Sequence, residues 1–292
     1  MLRTRLLIGT LFVLLLVGVV WIDTVVRRPY PGWFVLTTLC AALSCAEVVT
    51  ILRRAELPPF RRVLWPSILA LVWLHWLPAA PVLGPWVGAQ SSHRWLLVLV
   101  IFGCSAVAAL LAGVWGFREG GPAALRRTGG TLLGVVYLGG GATALVATRW
   151  LPDGLAAVLL LVLATKAADS GAYFTGRWLG RRPLAPALSP QKTIEGAVGA
   201  VLWGAVAAAG LALVVQSLDT GWWLSIGWSL AVGAVLGAWG QLGDLVESWL
   251  KRAAAMKDSS AWLPGLGGML DVLDSLLWNA PLFALWWSLS AP

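Results

Sequence analysis

The chain has 292 residues, of which 59% are hydrophobic and only 12% charged, with a formal net charge of +8. Soluble domains carry about 25% charged residues, so this composition excludes an ordinary soluble protein. It points to a polytopic membrane protein whose length suits one helical bundle. The positive excess has two readings: loop Lys and Arg that fix topology, or attraction for anionic lipid and phosphate.

About nine apolar runs are long enough to span a bilayer, near 5–22, 33–52, 63–79, 95–116, 131–149, 154–174, 196–216, 223–243 and 269–289. The first follows Arg3 and Arg5 and has no clear small-residue cleavage site, so it reads as a retained span rather than a signal peptide. Trp33, Trp65, Trp150, Trp222 and Trp223 fall near span ends, as in an interfacial aromatic belt. Basic residues collect after alternate spans: Arg53, Arg54, Arg61 and Arg62, then Arg118, Arg126 and Arg127. Arg177, Arg181, Arg182 and Lys192 follow the sixth span, and Lys251, Arg252 and Lys257 the eighth. The other loops are poorer, with Arg27, Arg28, Arg94 and Arg149 as exceptions. The positive-inside rule then places the N-terminus in the cytoplasm and the polar clusters on that side. His75 and His93 fall on the opposite side, which argues against a catalytic histidine. Cys40, Cys45 and Cys104 lie in apolar runs without C-x-x-C spacing and read as packing residues.

The two halves differ. Residues 1–150 read as a scaffold of spans with little chemistry. Their exception is Glu47, placed either to pair with a loop arginine or to line a polar cavity. Residues 151–292 read as the catalytic region. Gly139-Gly140-Gly141 and the small residues of the seventh span suit close helix packing, and small intramembrane residues also permit a homodimer.

Three stretches carry chemistry. Lys166 and Asp169 are three apart and share a helix face, either as a local ion pair or as a polar floor beneath a charged substrate. Ser189-Pro190 reads as a turn or helix start, with Lys192 in the first turn and Glu195 close behind. That arrangement suits either a phosphate or an ordinary capped span. The third stretch, 241–275, gathers Asp244, Glu247, Lys251, Arg252, Lys257, Asp258, Asp271 and Asp274 against apolar segments. Asp271 and Asp274 share a helix face, and Asp244 ends the eighth span, from which it can converge on them. Carboxylates that converge without His or Cys favour magnesium over zinc. The glycines of 264–268 let backbone approach a ligand, and the bases neutralise phosphate. Together these suggest magnesium-dependent nucleotidyl or phosphoryl transfer.

The run Ser248-Trp249-Leu250-Lys251-Arg252, then Lys257-Asp258, Leu263-Pro264, Gly267-Gly268, Asp271 and Asp274 resembles the signature of bacterial phosphatidate cytidylyltransferases. Gln241-Leu242-Gly243-Asp244-Leu245 with Glu247, Asp169-Ser170-Gly171-Ala172-Tyr173 with Gly176, and the stretch from Ser189 to Gly196 are similar to further parts of the same family. The match covers about 165–280. Two positions depart from the pattern: Leu266 stands where the family has histidine, and Val272 where it has arginine.

The apolar runs and loop charges predict an all-α bundle of about nine transmembrane helices with a polar cavity open to the cytoplasmic side, and the resemblance implies a bacterial cytoplasmic membrane. It implies that CTP and phosphatidate give CDP-diacylglycerol and pyrophosphate. With this reaction in view, the converging carboxylates Asp244, Asp271 and Asp274 are assigned to magnesium, with Lys251, Arg252, Asp271 and Asp274 catalytic. Substrate binding falls to Lys166, Asp169, Ser189, Lys192, Thr193, Glu195, Ser248, Lys257, Asp258, Gly267 and Gly268. No D-G-x-x-A-R run followed by D-x-x-x-D is present, which argues against a CDP-alcohol phosphotransferase. A cytidylyltransferase acting on another lipid phosphate, and a degenerate relative that binds or transports, remain as alternatives.

Overall fold

A computed structural model describes residues 2–26, 29–79, 91–217, 224–263, 265 and 267–290. Arg27, Arg28, Trp222, Trp223, Pro264 and Leu266 lie outside the described residues. The helices are α1 (Leu2–Val26), α2 (Pro31–Arg54), α3 (Arg61–Trp73) and α4 (Ser91–Gly116). There follow α5 (Gly121–Thr148), α6 (Gly154–Leu179), α7 (Ile194–Ser217), α8 (Ile226–Ala253) and α9 (Met269–Ser290). Between α6 and α7 runs a two-stranded antiparallel hairpin, β1 (Pro183–Ala185) and β2 (Ser189–Thr193).

Among the described residues six helices, α2 and α4 to α8, are long and apolar enough to cross a membrane, so the protein is an all-α polytopic membrane protein. The other three expected spans correspond to α1, α3 and α9. α3 has 13 residues and continues as a 3₁₀ turn, Leu74–Ala79. α9 has 22 residues, interrupted by polar groups and by Pro281.

The chain forms two compact units, Met1–Ala147 with Ala253–Leu273, and Thr148–Arg252 with Asp274–Pro292. In the first unit, the buried face of α2 includes Ala41, Cys45, Val48 and Leu52, while α3 buries Leu64, Ile68 and Leu71. Asp23, buried at the end of α1, accepts hydrogen bonds from the Gly32 and Trp33 amides at 2.9 and 3.2 Å, giving α2 the cap its own sequence lacks. The Phe60 amide donates to Thr131 Oγ1 at 2.8 Å, tying the start of α3 to α5. His75 is likewise structural, with Nε2 2.9 Å from Thr143 Oγ1 in the core.

In the second unit the helices meet backbone to backbone. A Cβ at Gly233 of α8 would strike the Gly204 carbonyl of α7, and one at Gly237 would strike the Ala200 carbonyl. Without a solvent-driven hydrophobic force between spans, such close approach is how helices gain contact in a bilayer. Asn279 of α9 ties three helices together, its Nδ2 donating to Thr165 Oγ1 at 2.9 Å and to the Leu236 carbonyl at 3.1 Å. Replacing Gly233 with Leu forces α7 and α8 apart. We expect a loss of about 1–3 kcal/mol, the usual cost of overpacking, read as a lower thermal midpoint of the detergent-purified protein. An unchanged midpoint would refute the close packing.

Candidate active site

The hairpin sets up one wall of the site. Ser189-Pro190 does not open a helix: β2 runs on to Thr193, and α7 starts at Ile194. The reason is local. Thr193 Oγ1 accepts a hydrogen bond from the Gly196 amide at 3.1 Å, an N-cap three residues before its donor. Pro190, lacking an N–H, is tolerated in the exposed two-stranded ribbon. Lys192 therefore projects from a strand and not from a helical turn. Glu195 Oε2 accepts from the Arg181 and Arg182 amides at 3.1 and 3.3 Å, closing the entrance of the hairpin. Arg252 Nε donates to the Leu188 carbonyl at 3.3 Å and holds its turn.

Behind the hairpin lies a cavity of about 560 Å³, bounded by Asp169 and Arg177 of α6, Ser189, Lys192 and Thr193 of β2, and Asp244 of α8. Gln241 also lines it, with Nε2 buried and without a hydrogen-bond partner among the described residues. Lys166 Nζ donates to Asp169 Oδ2 at 2.8 Å. Lys192 Nζ lies 2.9 Å from Asp244 Oδ2, a charge pair without the angle of a hydrogen bond.

The carboxylates converge on a residue that the sequence reading passed over. Ser275 Oγ lies 2.5 Å from Asp244 Oδ1, 3.1 Å from Asp169 Oδ1 and 3.2 Å from Asp274 Oδ1. A hydroxyl has one proton to donate, so it satisfies one of these oxygens at a time. Asp274, 8% exposed, also accepts from the Ser275 amide at 2.6 Å. Packed carboxylates of this kind repel unless positive charge is close, and Lys166 and Lys192 supply part of it. The only signal in the sequence was that Ser275 directly follows Asp274.

Such a site can exchange partners. A phosphate competes with Asp244 for Lys192, and a cation competes with the lysines for Asp169 and Asp244. All-oxygen donors suit magnesium. Yet among the described residues no group of three or more His, Cys, Asp or Glu side chains is arranged to hold a metal ion. The residues fit magnesium in chemistry, but Asp169 and Asp244 are turned to lysines. Further along α8, Lys251 Nζ donates to buried Glu247 Oε2 at 2.5 Å, and Ser248 is half-buried.

In the first unit, Lys257 and Asp258 lie exposed on the segment before α9. Asp271 Oδ2 accepts from Ser259 Oγ at 2.6 Å, the Ser259 amide at 2.8 Å and the Gly268 amide at 2.7 Å. Gly267 adopts φ +88°, where a Cβ would also press on the Asp271 carboxylate, and it pairs with Leu263 through two backbone hydrogen bonds of 2.9 and 3.0 Å. Glu47 takes hydroxyls and amides in place of a loop arginine. Its carboxylate accepts from Ser260 Oγ and the Met269 and Leu270 amides at 2.7–3.0 Å and lies 3.0 Å from Ser259 Oγ, whose one proton it shares with Asp271. The space at Gly268 is filled by Ser259 Oγ and Glu47 Oε1. Asp271 and Asp274 thus share α9 but belong to different units, each with its own partners.

The sequence profile of the cytidylyltransferase family matches residues 3–290. The chain is 40% identical over 151 residues to a phosphatidate cytidylyltransferase of Staphylococcus haemolyticus, covering 52% of this chain and 55% of that protein. It is 38% identical over 200 residues to one of Brucella suis, covering 68% of each. The chain therefore spans a little over half the length of the staphylococcal protein and about two thirds of the Brucella one. With the profile matched almost from end to end, the chain belongs to the cytidylyltransferase family.

Proposed function

We propose that the chain transfers the cytidylyl group of CTP to phosphatidate, giving CDP-diacylglycerol and pyrophosphate, at the cytoplasmic face of a bacterial inner membrane. The carrying observation is the convergence of Asp169, Asp244 and Asp274 with Lys166 and Lys192 beside a cavity of about 560 Å³ in an apolar bundle. The phosphatidate cytidylyltransferases of Staphylococcus haemolyticus and Brucella suis support the same reading by their similarity. An N-terminus in the cytoplasm and a homodimer packed through small residues belong to this proposal.

A phosphate oxygen of the lipid attacks the α-phosphorus of CTP. As that P–O bond forms, the bond to the β-phosphate bridging oxygen breaks, and its electron pair leaves with pyrophosphate. The protein's work is alignment and charge neutralisation. Lys192, with Ser189 and Thr193 beside it, meets phosphate oxygens in the cavity. Lys251 and Arg252 serve the CTP phosphates by exchanging Glu247 and the Leu188 carbonyl for them. Ser248 supports these contacts, while Lys166 and Asp169 line the lipid end. Lys257, Asp258 and Glu195 complete the proposed substrate contacts. Magnesium, when bound, neutralises phosphate charge and orients oxygens; Asp244 and Asp274 are its proposed ligands in the second unit, and Asp271 is the carboxylate proposed for it in the first.

Pyrophosphate release by the detergent-purified protein, supplied with CTP, phosphatidate and magnesium, tests this reading. Turnover is expected in the parent, and Asp271→Asn is expected to lose at least about 100-fold while remaining folded, because asparagine keeps one acceptor oxygen for Ser259 and Gly268. A folded Asp271→Asn protein with parental turnover would overturn that role. Turnover only with a different lipid phosphate would move the acceptor assignment.

Asp274→Asn separates function from stability. It removes one charge from the carboxylates around Ser275 but keeps an oxygen for the Ser275 amide. We expect the thermal midpoint to rise, by about 1 kcal/mol in stability, as turnover is lost, the trade-off typical of residues kept for function. A lower midpoint would mean that the carboxylate is there for structure.

A further inference from the structure

The start of α9 has an unusual cap. In an ordinary capping box, a Ser or Thr at the N-cap serves the first helical amides, and an acid three residues on reaches back to the N-cap amide. Asp271 supplies the second half, accepting from the Gly268 amide at 2.7 Å. The first half is missing from the local sequence because residue 268 is glycine. Glu47, on α2, supplies it from more than 200 residues away: Oε1 accepts from the Met269 amide at 3.0 Å and Oε2 from the Leu270 amide at 2.7 Å. Gly268 is what admits Glu47, since a Cβ there would strike Ser259 Oγ and Glu47 Oε1. Its φ is not positive, so the glycine answers to space and not to backbone strain.

The same carboxylate grips the preceding segment. Ser260 Oγ donates to Oε1 at 2.7 Å, and Ser259 Oγ lies 3.0 Å from Oε2 and 2.6 Å from Asp271 Oδ2. Glu47 is 7% exposed, and each of its two oxygens accepts one backbone amide and faces one hydroxyl. We propose that Glu47 is a positioning residue of the transfer site: by capping α9 and clamping Ser259 and Ser260 it fixes the orientation of the Asp271 carboxylate. This rests on the proposed role of Asp271 in transfer, but the cap itself does not.

Two consequences separate this role from ordinary packing. Glutamine, though nearly isosteric, is a poor substitute, because its NH₂ must oppose a backbone N–H whichever way the amide turns. And Gly268→Ser should change sign with background. In the parent it collides with Glu47 and Ser259; in Glu47→Ala the carboxylate is gone, the Ser259 hydroxyl can rotate away from the new Cβ, and the serine hydroxyl at 268 becomes a local N-cap.

The experiment measures amide hydrogen exchange at residues 269–270 and turnover in the parent, Glu47→Gln, Glu47→Ala, Gly268→Ser and the Glu47→Ala/Gly268→Ser double variant. Glu47→Gln and Glu47→Ala are expected to lose about 10-fold or more in exchange protection at those amides, a local opening. They should also lose about 10- to 100-fold in turnover, the effect of a misplaced group, and need more magnesium for half-maximal rate. The double variant is expected to recover protection and most of the turnover, although Gly268→Ser alone is harmful. Unchanged exchange in both Glu47 variants would overturn the proposal, as would a Gly268→Ser effect of the same sign in both backgrounds. Parental turnover and magnesium dependence despite an opened cap would overturn it too. If the parent shows no transfer, the functional reading fails, and the exchange pattern still decides whether Glu47 caps α9.

Discussion

An ionised carboxylate inside an apolar helical bundle must receive its hydrogen bonds or its counter-charge from the chain, because little water is there to supply either. Much of the local structure around the polar residues follows from that requirement. Asp23, Glu47 and Asp271 meet it with amides and hydroxyls. Asp169 and Asp244 meet it with lysines, and Asp274 with a serine amide and a shared hydroxyl.

The two solutions differ in what they permit. A backbone amide at a helix start is fixed, so a carboxylate bound to it is a structural element whose loss opens the helix. A lysine side chain is flexible and can transfer its charge to a phosphate without disturbing a helix. The carboxylates countered by lysines border the cavity, whereas Glu47 and Asp271 hold a turn. The proposed transfer would call for both kinds, one to stay in place and one to exchange.

The membrane class and most span positions were legible in the sequence because they depend on composition and on runs of some 20 apolar residues. The hairpin was not. Ser189 to Thr193 carries a proline, a lysine and hydroxyls, which fit a helix start as well as a strand, and only the Thr193–Gly196 cap decides where α7 begins. Lys166, Asp169, Lys192 and Asp244 were legible as site candidates, since charges beside apolar spans demand partners. Ser275 and Gln241 were not legible on physical grounds, because a serine or glutamine near a helix start is common and its importance depends on what packs against it. Glu47 stood out as an anomaly, but its partners lie more than 200 residues away, a separation that no local periodicity reveals.

The same network bears on the two positions where the chain departs from the family signature. The described hydrogen bonds that hold Asp271 come from the Ser259 amide and hydroxyl and the Gly268 amide, and those on Glu47 come from Ser259, Ser260, Met269 and Leu270. None of them requires a side chain at 266 or 272. Val272 is half-buried on the first turn of α9 and offers no donor, so whatever an arginine would bring at that place must come from other bases or be absent. Lys192, Lys251 and Arg252 are the bases of the second unit proposed for phosphate, and two of them already face acids. The departures therefore spare the carboxylates of the signature, Asp271 and Asp274, and the described hydrogen bonds that hold them. If the chain carries out the proposed transfer, such a pattern alters affinity or rate before it alters the chemistry.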